Sequence, residues 1–292
     1  MTDIPEARFR PRGEAAPDFE ILSLDELRRR QPRVLHRLDR PHRLLFFSVV
    51  VVTGGRGAHF VDFREYPVAA GSLVFVAKGQ VHAFDPSSGI AGYQILFTES
   101  FLRAHAIWPE AFTLFGVSSG GLCEPVLKAE GHDADGFFRL AEALAGEYAL
   151  KRDALGDEIL ATFLKLFLLK AERLAASFTQ AITGAPWLEL YLAFMDALQS
   201  RGSARRGVAD YAAILGVSAK RLNAACKDAT ALTAKECVDR FIVLEAKRAL
   251  AMPDRSVADI ADALGFGEPT NFTKFFKARE GLTPTDFRAS LR

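Results

Sequence analysis

The chain has 292 residues, 49% of them hydrophobic and 25% charged, with a net charge of +1. That is an ordinary folded composition, long enough for two cored domains, and it excludes a highly charged disordered chain. Three cysteines without a C-x-x-C pair and an N-terminus without an apolar run argue against a disulfide scaffold and a secretory leader, so reduced thiols and a cytoplasmic location are expected.

Residues 1–33 begin polar, with prolines at positions 5, 11, 17 and 32, and read as a flexible arm. Within it SLDELRRR is a short helix capped by Ser23, with Glu26 at the capping-box position. Residues 34–100 are the β part. LLFFSVVVV (44–52) is β-branched and aromatic, and is too short to span a bilayer. It turns through Thr53 to Gly57 into AHFVDF (58–63), which makes a hairpin. Tyr66-Pro67 to Gly71 reads as a turn, and SLVFVA (72–77), VHAF (81–84) and GYQILF (92–97) read as further strands. Short strands at this spacing with Gly-rich turns indicate a small barrel or sandwich. Residues 101–134, with Trp108-Pro109 and Gly120-Gly121, are irregular. Helices follow at 135–151 and 157–175. The second is apolar over so much of its circumference that one partner cannot cover it; it is either core or a homodimer seam, with Leu164 and Phe167 as the test positions.

TQAITGAP (179–186) reads as a linker, and Trp187 opens an amphipathic helix. Beyond it the chain repeats itself. VADYAAILG (208–216) matches VADIADALG (257–265) at an offset of 49. Downstream the offset becomes 50, pairing Leu222 with Phe272, Lys227 with Lys277 and Leu232-Thr233 with Leu282-Thr283. Each copy reads as helix, tight turn, helix, with the second turn one residue longer. In the second copy Ser256 is the N-cap, Gly265 ends the helix at positive φ, and Pro269 opens the next. Phe272, Phe275 and Phe276 face inward. Between the copies, residues 233–250 contain no Gly or Pro and predict one helix of about 27 Å. That length, plus the helices it joins, suits two readers on successive major grooves roughly 34 Å apart. From Trp187 onward there are 16 Lys+Arg against 13 Asp+Glu, which permits nucleic-acid binding without requiring it.

IADALGF, NFTKFFK and the closing GLTPTDFR (281–288) resemble the DNA-binding domain of the AraC/XylS family of bacterial transcription regulators, over all of 187–292. One departure is visible: Ala231-Leu232-Thr233-Ala234 stands where the family often has Gly-x-x-Pro. GRGAHFVDF, the Gly before SLVFV, and KGQVHAF resemble the cupin-type sensor domain found at the N-terminus of many such proteins. The resemblance implies an α+β two-domain chain. An arm (1–33) leads into a cupin-like β-barrel with flanking helices for effector binding or dimerisation (34–180), and an all-α domain with two helix-turn-helix motifs follows (187–292). It implies double-stranded promoter DNA, a second copy of the chain and a small-molecule effector as partners, leaves RNA polymerase contact open, and implies neither an enzyme nor a cofactor. Two alternatives stand beside it: a ligand-independent regulator whose barrel is structural, and a metal-dependent cupin enzyme fused to a DNA-binding module.

The metal alternative needs an early His-x-His, an acidic ligand and a late His. Pro41-His42-Arg43-Leu44 puts Leu44 at the second His position and no carboxylate follows on that strand, so although His82 fits the late position no metal is expected. Strand alternation sets His82 with Phe84, Tyr93 with Ile95 and Phe97, and His59 with Val61 and Phe63. His42, Arg43, His59, Gln80, His82 and Tyr93 are the candidate effector-binding groups. On the DNA side, Ser218 caps the first recognition helix and leaves Lys220, Arg221 and Asn223 outward; Thr270, Asn271, Thr273 and Lys274 are their counterparts in the second. Asn suits adenine, and Lys suits guanine or phosphate.

Overall fold

The computed structural model describes residues 6–9, 18–30, 38–85, 88–107, 115, 124–150, 155–178, 187–201, 206–252 and 255–291. Trp108-Pro109, Gly120-Gly121, Cys123 and the 179–186 linker lie outside these. The chain divides into two compact units, Pro5–Gln180 and one that contains Ala181–Arg292.

Among the described residues the first unit holds ten strands in two five-stranded sheets. β1 (Glu6–Ala7), β3 (His42–Leu44), β8 (Val81–Phe84), β5 (Arg56–Val61) and β6 (Arg64–Ala69) form one sheet, in the order β1-β3-β8-β5-β6. The other runs β10-β7-β4-β9-β2, from β10 (Val126–Lys128), β7 (Ser72–Val76), β4 (Phe47–Gly54), β9 (Ala91–Phe97) and β2 (Phe19–Ser23). The expected barrel is therefore two sheets that do not close on each other. Leu44, Val61, Tyr66, Val68 and Phe84 of the first sheet share one core with Leu22, Val50, Val52, Val74 and Val76 of the second. The arm also differs from expectation: β1 pairs in parallel with β3, and all five residues of β2 pair with β9. Phe19, Ile21 and Leu22 are buried, so burial overrides a polar, proline-bearing neighbourhood. Pro67, read as a turn residue, lies in β6, which among the described residues is an edge strand paired with β5 alone, where a missing N–H breaks no ladder. The expected turn is confined to Ala70-Gly71, with Gly71 at φ 89°, and a further turn at Asp62-Phe63, both at positive φ, removes Phe63 from the strand face of His59 and Val61.

Helix α1 (Leu24–Arg30) starts where the Ser23 hydroxyl accepts from Glu26 N at 3.1 Å. A short α2 (Glu99–Ala104) follows β9. α3 (Gly131–Ala149) and α4 (Gly156–Phe178) cover the outer face of the second sheet. Phe137, Ala141 and Leu144 of α3 meet Leu164, Phe167, Leu168 and Ala171 of α4 above Phe47, Val49, Phe75, Ile95 and Phe97. This corrects the seam reading at Leu164 and Phe167: both are 0% exposed and belong to the core. The exposed leucines of α4 lie on another face.

The second unit is helical: α5 (Leu188–Arg201), α6 (Val208–Ile214), α7 (Ala219–Thr230), α8 (Ala234–Leu250), α9 (Val257–Ala263), α10 (Pro269–Glu280) and α11 (Pro284–Ser290). α6–α7 and α9–α10 are the two helix-turn-helix copies, and α8 is the connector, about 26 Å long over its 17 residues. Among the described residues no helix is long and apolar enough to cross a membrane.

Candidate nucleic-acid interface

Both recognition helices are positioned by local chemistry that the repeat copies almost position by position. Gly216 (φ 65°) and Gly265 (φ 85°) end the first helix of each copy in the left-handed region. Ser218 then caps α7, its hydroxyl accepting from Arg221 N at 3.2 Å. α10 begins with Pro269, which needs no hydrogen-bond acceptor for a missing N–H. Leu222, Ala225 and Cys226 anchor α7; Phe272 and Phe276 anchor α10. Phe275 is only half-buried, packed against Phe266 at 5.1 Å and beneath the Arg279 guanidinium at 3.8 Å.

The helix that follows each recognition helix is also built alike. Thr233 and Thr283 are its N-caps, accepting from Glu236 N and Asp286 N, each at 3.2 Å. The left-handed residue just before is Ala231 in the first copy (φ 60°) and Gly281 in the second (φ 77°). The departure seen in the sequence thus leaves an alanine in a glycine's conformation. Further links fix the connector: Asp239 accepts from Lys235 and from Arg279 at 2.6 Å, Lys247 pairs with Glu280 at 2.9 Å, and Arg288 donates to Leu250 O and Arg255 O.

Of the expected DNA-facing residues, Ser218, Lys220, Arg221, Thr270, Asn271 and Lys274 are exposed at the N-terminal turns of their helices. Two are otherwise engaged. Asn223 is half-buried, and its Oδ1 accepts from Ala234 N at 2.9 Å, so it braces α7 to the start of α8 instead of projecting outward. Thr273 is half-buried and donates to Pro269 O at 3.0 Å, a bond within its own helix. The repeat explains the difference. The residue that opens α11 is Pro284, which has no N–H, and the position corresponding to Asn223 is Thr273; where Ala234 opens α8 with an N–H, an asparagine meets it.

In the first unit the proposed effector groups separate. His42, His59 and His82 are buried and face the core between the sheets. His59 Nε2 lies 3.0 Å from His82 Nδ1, the His42 and His82 rings are 4.3 Å apart, and His59 stacks on Phe84 at 5.0 Å. His42 Nδ1 lies 3.0 Å from Arg40 O. Burial, and secondarily the charge of His42, push the His59 pKa down to about 3, so this ring is neutral. Gln80 is committed to a turn: its oxygen accepts from Ala77 N and its amide donates to Asp62, both at 2.7 Å. Asp62 in turn accepts from Val81 N. The Arg43 Nε donates to Gly79 O at 2.9 Å. Tyr93 lies on the opposite face of its sheet and packs into the core beneath α3 and α4. The sequence reading missed the polar pair that does face the inter-sheet core: Gln94, buried, donates to buried Ser48 at 3.1 Å. Strand parity was the available signal, since whatever side Tyr93 takes, Gln94 takes the other. Among the described residues no group of three or more His, Cys, Asp or Glu is placed to hold a metal.

Comparison with known proteins agrees with this layout. Residues 24–164 match the family model described as an AraC-like ligand binding domain, and residues 211–290 match a helix-turn-helix domain. The HTH-type transcriptional activator RhaS of Yersinia pestis is 25% identical over 255 residues, covering 86% of this chain and 89% of that protein. Among solved structures, ToxT from Vibrio cholerae O395 has a TM-score of 0.45 at 13% identity, over 94% of this chain and 98% of that one. With both domain families matched in this order along most of its length, the chain belongs to the AraC family of DNA-binding transcription regulators.

Proposed function

We propose that this regulator reads two half-sites on one face of the duplex, α7 occupying one major groove and α10 the next, under the control of a small molecule held between the two sheets of the first unit. The observation that carries the reading is the pair of exposed, polar N-terminal turns on a rigid connector: Lys220 and Arg221 on α7, Thr270, Asn271 and Lys274 on α10. Such turns meet base edges and phosphates, each good bidentate contact contributing about 1–3 kcal/mol of discrimination. Asn223, being committed to Ala234, is assigned to bracing and not to base reading. His42, His59, His82, Gln94 and Ser48 line up as the polar groups available to an effector among apolar neighbours, which supports the match to a ligand-binding domain.

The chain acts as a homodimer in this reading. Leu155, Ile159, Leu166 and Leu169 are exposed on α4 and just before it, at spacings of 4, 7 and 3. With Thr162 between them, this is a heptad stripe distinct from the core face, and a second copy of the same helix would cover it. Transcription activation through RNA polymerase and a cytoplasmic location complete the proposal. The test is footprinting on a duplex selected from random DNA by the full chain. Lys220→Ala should lose protection at one half-site and Lys274→Ala at the other, about 10 bp away. Loss at the same half-site in both variants would end the tandem reading.

A further inference from the structure

α10 is tied to the connector by two ion pairs that start from adjacent residues and diverge. Arg279 Nη2 donates to Asp239 Oδ2 at 2.6 Å, and Glu280 Oε2 accepts from Lys247 Nζ at 2.9 Å. Asp239 and Lys247 stand two turns apart on α8, about 12 Å along its axis. A single pair would leave the end of α10 to pivot about one point; two points that far apart fix both its place along α8 and its rotation on it. The order of the charges also excludes neighbouring registers. Sliding α10 so that Arg279 approaches Lys247, or Glu280 approaches Asp239, sets like charges together.

The partners are themselves held. Both oxygens of the buried Asp239 carboxylate are occupied, since Lys235 reaches Oδ1 while Arg279 takes Oδ2. Arg279 Nη1 also donates to Phe275 O at 3.2 Å, and its guanidinium carbon lies 3.8 Å from the centre of the Phe275 ring. The arginine is thereby locked to its own recognition helix, and what holds Arg279 holds α10. The four side chains are 13–34% exposed, so salt screens these pairs less than it would on an open surface. The first copy is fastened differently. Ala229 and Thr230 stand where α10 has Arg279 and Glu280, and α7 is tied to the first residue of α8 through the Asn223 bond to Ala234 N. Both heads are therefore referenced by polar contacts to one helix, at separate points along it.

We propose that Asp239, Lys247, Arg279 and Glu280 are positioning residues that set the distance at which the two half-sites are read, so that the protein selects operators by the number of base pairs between half-sites as well as by their sequence. One base pair carries a half-site about 3.4 Å along the duplex and turns it by roughly 35°. Contacts made at about 3 Å do not survive that displacement while α10 keeps its register on α8. Without the ion pairs, α10 rests on the apolar packing of Phe272 and Phe276, which has no preferred direction, and it can tilt toward a displaced groove.

The inference rests on the tandem reading of DNA by α7 and α10, and its test separates the two. Affinity of the full chain is measured by fluorescence anisotropy for the selected duplex and for versions with one base pair added or removed between the half-sites. The wild type should bind the altered duplexes about a hundredfold more weakly, the loss of roughly two good base contacts at about tenfold each. Asp239→Asn with Glu280→Gln should bring that ratio to about tenfold or less, because a tilted α10 recovers a contact. Lys247→Gln should relax spacing in the same direction, and Lys247→Arg, which keeps the charge, should retain the wild-type ratio. Should Asp239→Asn fail to fold, Glu280→Gln alone and the two Lys247 variants carry the test. A ratio that stays near the wild-type value in the neutral variants would overturn the proposal. So would affinity lost equally at every spacing, which is what a merely structural role would give. Wild-type protein that binds all spacings alike, or protects a single half-site, would overturn the tandem reading, and the proposal with it.

Discussion

Ala231 offers a substitution whose sign follows from one dihedral angle. It ends α7 at φ 60° and ψ 9°, and its N–H donates to Lys227 O at 2.8 Å. Gly281 does the same for α10, at φ 77°, with its N–H on Lys277 O at 2.9 Å. An L-residue in this region costs about 1–2 kcal/mol because its Cβ crowds the following carbonyl. Glycine removes that cost but adds freedom to the unfolded chain worth about 0.4–1 kcal/mol. Ala231 is exposed, so the methyl contributes little packing that would be lost. Ala231→Gly should therefore stabilise the helical unit by about 0.5–1 kcal/mol, or roughly 3–6 °C in the melting of a domain this size. Gly281→Ala should destabilise it by a similar or larger amount, although an added Cβ there meets nothing within 4 Å. Thermal and urea unfolding of both variants, followed by circular dichroism, is the measurement. A melting temperature unchanged or lowered in Ala231→Gly would refute the assignment of strain to this cap.

Other outcomes follow from single contacts. Asn223→Ala removes the acceptor of Ala234 N and should cost about 1 kcal/mol. The same change made on top of Ala234→Pro should cost almost nothing, because no N–H remains to satisfy; a full double-mutant cycle in urea checks the coupling. Leu166→Glu and Leu169→Glu should give folded monomers in light scattering, whereas Leu164→Glu should fail to fold; dimers that persist in both exposed variants would place the interface elsewhere. His59 has its folded pKa depressed to about 3 from an unfolded value near 6.5, so the unfolded chain binds the extra proton between those pH values. Its contribution is complete above pH 6.5 and falls by about 1.4 kcal/mol per pH unit below it. His59→Phe should flatten that acid limb in urea titrations at pH 7.5 and 5.5.

The helical half was legible because its signals are local. Caps at Ser218, Thr233 and Ser256, glycines at 216 and 265, and Pro269 all act within one turn, and a repeat doubles each of them. What failed there was the assumption that a polar residue on a helix faces solvent: Asn223 is drawn back by an N–H eleven residues away, which no spacing rule carries. In the β half the strands were legible and their partners were not. Phe19 to Ser23 lies in a polar stretch and becomes a strand only because β9 offers it an edge, a pairing across 70 to 78 residues. Tyr93 was placed on the wrong side for the same reason, since alternation gives two faces and only the packing of α3 and α4 says which is inner.

The two reading heads differ in a way that bears on how they fail. α10 buries Phe272 and Phe276 and half-buries Phe275, with Phe266 and Phe287 against them. α7 buries Leu222, Ala225 and Cys226, and Cys237 stands where the second copy has Phe287. Replacing phenylalanines by alanine and cysteines removes several buried carbons, at about 0.8 kcal/mol for each methylene equivalent. The first head recovers part of this through α5, which packs directly on α7 and whose Phe194 meets Tyr211 of α6 edge-on at 5.5 Å. Local opening should therefore begin at α7, with α10 closing on a firmer core. Hydrogen exchange on the full chain tests this directly: amides of α7 should exchange at least several-fold faster than their counterparts 50 positions on in α10. The reverse order would mean that α5 holds the first head more tightly than aromatic packing holds the second.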